Sequence, residues 1–91
     1  MKLYSVATGN VDPFNTASTE AVKFVKGLPG MIAVHPGSNR GTLWMFDSFE
    51  HARSAKNRMD EAGIITGTNI CRFKMSKDGS AEFQSVCEKF G

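Results

Sequence analysis

Hydrophobic and polar residues alternate along the chain with two different periods. "KLYSVA" (Lys2 to Ala7) is rich in residues that favour extended backbone and ends at "TGN", the pattern of a first strand. Past Asp12-Pro13 the period lengthens: Ala17, Ala21, Phe24, Val25 and Leu28 share one helical face, with Glu20, Lys23 and Lys26 directed elsewhere. Asp12 suits a helix cap and Pro13 a first helical position, with Asn15, Thr16 and Ser18 as competing caps. "GLPG" (Gly27 to Gly30) stops this helix, because glycine accepts a left-handed cap and proline cannot continue the turn. "MIAVH" (Met31 to His35) and "TLWMF" (Thr42 to Phe46) read as strands, and the turn-rich "PGSNRG" between them predicts an antiparallel hairpin.

At "FDSFEHARSA" (Phe46 to Ala55) the period changes again. Asp47 is placed to cap a helix while Glu50 reaches back, a capping box with Asp in the place of Ser or Thr. Both carboxylates would also sit at the positive end of the helix dipole. Phe49, Ala52, Ala55, Met59 and Ala62 form the apolar stripe, small enough at its alanines to lie close to a sheet, and Gly63 ends it. A fourth strand is expected over Thr68 to Ser76, where Cys71, Phe73 and Met75 alternate with Arg72 and Lys74. "KDGS" (Lys77 to Ser80) is a turn, and Phe83, Val86, Cys87 and Phe90 then follow at the spacing of a short amphipathic helix.

The order β-α-β-β-α-β with short connections and right-handed crossovers predicts a ferredoxin-like α+β sandwich. Its four-stranded antiparallel sheet would carry two helices on one face. Residues 1–78 would form this domain and residues 79–91 a C-terminal amphipathic helix or tail. That arrangement hosts many unrelated functions and restricts function little.

Composition narrows the classes. The 91 residues suffice for one small domain, and 41 % hydrophobic with 22 % charged residues is ordinary globular composition. A net charge of +2, from 11 Lys and Arg against 9 Asp and Glu, is too small to grip nucleic acid or an anionic membrane. The start of the chain lacks the long apolar region of a secretory signal, and no stretch has the length of a membrane span. Two cysteines, Cys71 and Cys87, do not make a disulfide scaffold, so free thiols in a reducing cytoplasm are the expectation.

Candidate chemistry is sparse. His35 ends the second strand and His51 lies in the first turn of the second helix, neither with a Cys, Asp or Glu at metal-ligand spacing. No metal and no cofactor is therefore expected. The loop "HPGSNRG" places Arg40 among glycines that can present N–H groups to an anion, but it precedes a strand and lacks the Lys-Ser/Thr ending of a phosphate loop. Arg53, Lys56 and Arg58 read as a solvated face compensated by Glu50 and Asp60. Trp44, the only tryptophan, suits either a core anchor or a ligand cavity. His35, Arg40, Trp44 and Asn69 are the residues to examine for a pocket.

"RGTLWMFDSFEHA" (Arg40 to Ala52) resembles the third strand and second helix of RNA-recognition motif domains, and "LYSV" (Leu3 to Val6) resembles their first strand. In that alignment the family's two stacking aromatics of the third strand fall at Gly41 and Leu43, and only Tyr4 survives from the platform, which disfavours RNA binding. The same alignment turns Trp44 and Phe46 toward the helices and leaves Leu43 and Met45, with Tyr4 and Val6, on an open apolar face that needs a cover. A second copy packed sheet to sheet would supply one, as in the dimeric α+β barrels that this layout also resembles. The C-terminal helix folded back is the other candidate. The leading reading is a small cytoplasmic non-enzymatic module for self-association and for binding a protein or small ligand. The alternative is a cofactor-independent enzyme of the barrel type, using His35, Trp44 or Asn69 in a pocket between helices and sheet.

Overall fold

The computed structural model describes residues 2–9, 11, 19–36 and 41–89. Five strands and two helices follow one another among them: β1 (Lys2–Thr8), α1 (Thr19–Lys26), β2 (Met31–Pro36), β3 (Thr42–Phe46), α2 (Phe49–Glu61), β4 (Thr66–Met75) and β5 (Ala81–Lys89). The strands form one antiparallel sheet in the order β2-β3-β1-β4-β5. The expected start of the first helix at Asp12-Pro13, its competing caps, the 37–40 turn and Phe90 lie outside the described residues.

The ferredoxin-like expectation, four strands and a C-terminal helix, is overturned by β5. The segment expected as a helix pairs along β4 from Met75↔Ala81 to Asn69↔Lys89. Two register shifts explain why its apolar spacing reads as helical. Phe83 faces Phe73 and Val86 faces Cys71, so Phe83 and Val86 share a sheet face although they are three residues apart. Gln84 and Cys87 are the extra residues, and a bulge of this kind converts a period of two into three locally. The hairpin turn is closed by Ser76 N–H donating to Ser80 O at 2.8 Å and by Ser80 N–H donating to the Asp78 carboxylate at 2.9 Å.

Helix α2 begins one residue later than the capping box requires. Ser48 is the N-cap, with extended backbone at φ −145° and ψ 159°, and its Oγ accepts from His51 N–H at 3.2 Å. The expected cap, Asp47, is instead held by the His51 ring. The buried stripe is Ala52, Ala55, Lys56 and Met59. The two alanines bring the helix axis close to the sheet, and Met59, fully buried, contributes about 1.5–3 kcal/mol by its burial.

Register sorts the strand side chains into two faces, since directly paired residues point to the same side. Tyr4, Val6 and Thr8 pair with Phe46, Trp44 and Thr42, while Ser5 and Ala7 pair with Met45 and Leu43. Val6, Trp44, Phe46 and Ile70 form the core with Val25 and Leu28 from α1 and its C-terminal turn and Ala52, Ala55 and Met59 from α2. Trp44 and Phe46 therefore face the helices as expected. Tyr4 and Val6 do not belong to the opposite face: they lie with Trp44 and Phe46, and Val6 is 0 % exposed. On the face away from the helices the centre is also closed, with Leu3 and Met45 fully buried and Leu43 half-buried.

Candidate functional site

Four large apolar side chains are exposed among the described residues, Ile32, Ile65, Phe83 and Val86, and the last two are neighbours on the β5 side of the sheet. Phe83 is 54 % exposed and Val86 40 % exposed, neighbours on the face away from the helices. Phe73 backs them, its ring 5.7 Å from that of Phe83 and nearly perpendicular at 77°. Edge-to-face packing of this kind favours an aromatic pair by about 0.5–1.5 kcal/mol beyond its buried area. The result is an apolar ledge of Phe73 on β4 with Phe83 and Val86 on the edge strand β5. Cys71, half-buried, lies beside Val86 on the same face.

Polar side chains gather in two places on the helix side. At the start of α2 the Asp47 carboxylate meets His51 Nδ1 at 2.5 Å, both side chains nearly half exposed. The His51 bond holds the Asp47 carboxyl below the usual carboxylate range, with the imidazole charge and the Ser48 hydroxyl acting in the same direction and partial desolvation against them. Gly30 closes over this pair. Its backbone has φ +81°, its carbonyl accepts from Asp47 N–H at 2.9 Å, and a Cβ there would stand 2.6 Å from the Asp47 Oδ1 and closer still to His51 Nδ1. This Asp–His pair ties the turn after α1 to the start of α2 and faces water.

The second cluster surrounds Lys56, which is 6 % exposed rather than solvated as expected. Its Nζ donates to Asp60 Oδ2 at 3.0 Å and to Thr66 Oγ1 at 2.8 Å, and Thr66 Oγ1 donates to Asp60 Oδ1 at 2.6 Å. The Thr66 hydrogen bond, followed by Lys56, keeps the Asp60 carboxyl below its ordinary value against partial desolvation. Thr66 continues a row of three threonines across the sheet, paired through Thr8 to Thr42. Thr8 Oγ1 accepts from Trp44 Nε1 at 2.9 Å and donates to Val11 O at 2.8 Å. A buried ammonium needs such partners, because its desolvation is otherwise too costly. The ring of bonds joins the C-terminal half of α2 to the start of β4.

The four pocket candidates are not brought together. Trp44 is 0 % exposed, packed among the core residues, and its one polar atom is engaged by Thr8. A pocket between helices and sheet that uses Trp44 is thereby closed. His35 lies half-buried on the opposite face, paired with Leu43 in β2–β3. Asn69 is half-buried in β4, in register with Lys89 at the far edge. Arg40 lies outside the described residues. An open groove of about 550 Å³ runs along the outward side of α2, where Glu50 and Glu61 alternate with Arg53 and Arg58. Its mixed charge selects no sign of ligand, and none of the candidates lines it. Among the described residues no three His, Cys, Asp or Glu side chains are grouped to hold a metal ion, and no helix is long and apolar enough to cross a membrane.

The ledge is the feature that sequence reasoning assigned to the wrong element. Its signal was present in Asp78-Gly79, a dipeptide that favours hairpins, flanked by the alternating Cys71, Phe73, Met75 and Ala81, Phe83. Comparison with protein-family models, with characterised proteins and with solved structures finds no match to this chain.

Proposed function

We propose that the chain is a non-enzymatic binding module that pairs with a second copy of itself, sheet to sheet, through the outer face of β4 and β5. The observation that carries this reading is the ledge: two exposed apolar side chains, Phe83 and Val86, adjacent on one face and backed by Phe73. An aromatic anchor packed against a neighbouring ring is the kind of residue that dominates interface energies. Edge-to-edge pairing is disfavoured, because the extra residues Gln84 and Cys87 break the regular ladder that an added strand needs. Packing on the face is not affected by those bulges. With principal extents of 31 × 28 × 25 Å, one side of the molecule is large enough for the about 800 Å² per partner that stable interfaces bury.

Light scattering on the full chain, over a wide dilution range, tests the reading. A mass of twice 9.9 kDa that falls to 9.9 kDa in Phe83→Ser, with unchanged circular dichroism, is the expected result. Because Phe83 is more than half exposed, the substitution spares the core. A wild-type chain at 9.9 kDa throughout, or a Phe83→Ser variant as dimeric as wild type, overturns it.

A further inference from the structure

Cys71 and Cys87 sit on neighbouring strands. Cys71 is paired with Val86, and Cys87 is the extra residue between the partners of Cys71 and Ile70. At this bulge Val86 and Cys87 together stand opposite the single residue Cys71, and the two thiols are near enough to interact electrostatically, the placement that a disulfide with Cα atoms about 4.4–6.8 Å apart requires. Both thiols are free, Cys71 half-buried and Cys87 exposed. We propose that Cys71 and Cys87 are a redox-active pair, a modification site at which a peroxide closes a disulfide that fastens the edge strand β5 to β4.

The two thiols have different environments, which sets the order of events. Exposed Cys87 meets the oxidant first. Its thiolate attacks one peroxide oxygen, the O–O bond breaks, and a sulfenic acid forms on Cys87 while the departing hydroxide takes a proton to become water. The Cys71 sulfur then attacks the Cys87 sulfur, the S–O bond breaks, and the departing hydroxide takes the Cys71 proton as a second water. The two thiols lose two protons and two electrons in all, and one hydrogen peroxide is reduced to two waters. Burial pushes the Cys71 thiol above the ordinary cysteine range, the neighbouring Cys87 adds to the rise, and the Ser5 hydroxyl opposes it. Burial thus makes Cys71 the poorer first nucleophile, and it gives up its proton only as it attacks the sulfenic sulfur of Cys87.

The bond would matter because of where it falls. β5 ends the sheet and is hydrogen-bonded to a strand on one side alone, so its closing end has little besides β4 to hold it. The turn over Ser76–Ser80 ties one end of the β4–β5 ribbon, and the disulfide would tie the other.

The test uses the reduced full chain, treated with hydrogen peroxide, alkylated with iodoacetamide under denaturing conditions and measured as intact mass. The expected product is a single chain lacking two hydrogens, taking no alkyl group, and reverting to two alkylated thiols after dithiothreitol. Cleavage after Lys and Arg should release residues 59–72 and 78–89 as one linked species. Amide exchange through β5 should slow severalfold in the oxidised chain, and Cys87→Ser should lose both effects. Two thiols that still alkylate, oxygen added to Cys87 with Cys71 left free, or a linkage that appears only between two chains would each overturn the proposal.

Discussion

Replacing Gly30 by alanine isolates the contact between the α1–β2 turn and the Asp47–His51 pair. Two costs arise, and the structure separates them. The first is backbone strain: at φ +81° an L residue is about 1–2 kcal/mol less favourable than glycine. The second is the space taken by Cβ, which falls 2.6 Å from both Asp47 Oδ1 and His51 Cγ, so that the pair must separate or the turn must move. Gly63, after α2, has the same backbone at φ +80° and nothing within 4 Å of its hypothetical Cβ, so Gly63→Ala carries the first cost alone. The assay is equilibrium unfolding in urea, with midpoint and slope compared across the variants. Gly63→Ala should lose about 1–2 kcal/mol, which in a domain of this size lowers Tm by about 4–8 °C per kcal/mol. Gly30→Ala should lose distinctly more, and the excess should shrink when His51→Ala is added, a coupling that a double-mutant cycle reads directly. If Gly30→Ala costs no more than Gly63→Ala, the closed contact around Gly30 is refuted.

Two further outcomes are expected. Trp44, the only tryptophan, should emit in the blue when folded, resist iodide quenching and shift to the red on unfolding; Trp44→Phe should destabilise by about 0.5–1.5 kcal/mol for the lost bond to Thr8 alone, plus a cavity term. Ready quenching in the native state would refute its place in the core. Asp60 is depressed when folded, so its contribution is complete above the unfolded value of about 3.9 and is lost as pH falls through the lower, folded value. Carboxyl NMR titration should find Asp60 below the ordinary range and Thr66→Val should raise it; a wild-type value at or above that range refutes the Lys56–Asp60–Thr66 ring.

Which parts of this fold can be read from the chain follows from how local each determinant is. The stripe Phe49, Ala52, Ala55, Met59 and the stop at Gly63 place α2 to within a residue or two, because the 3.6-residue period and the glycine act within one segment. Its cap was not settled that way. Asp47 and Ser48 are both good caps, and the choice fell to Ser48 because Asp47 is engaged by His51 beneath Gly30. The buried state of Lys56 was equally hidden, since Asp60 at i+4 suggests a surface pair and the third partner, Thr66, comes from the next strand.

The face of β1 and the existence of β5 depended on pairing between distant segments. Tyr4 can lie on either side of the sheet until its partner is known, and Tyr4↔Phe46 turns it to the helices, where its ring meets Phe49 at 6.3 Å. In β5 the bulges at Gln84 and Cys87 erased the alternation that marks a strand, and they exist only in relation to β4. By itself the sequence determined an α+β chain with the amphipathic helices α1 and α2, the strands β1 to β4 and a net charge of +2. Tertiary structure decided which face each strand shows, that the last segment is a fifth strand, and that Phe83 and Val86 stand exposed side by side on it. The physical reason is range: side-chain period is a property of one segment, whereas register and bulges are set by hydrogen bonds between two.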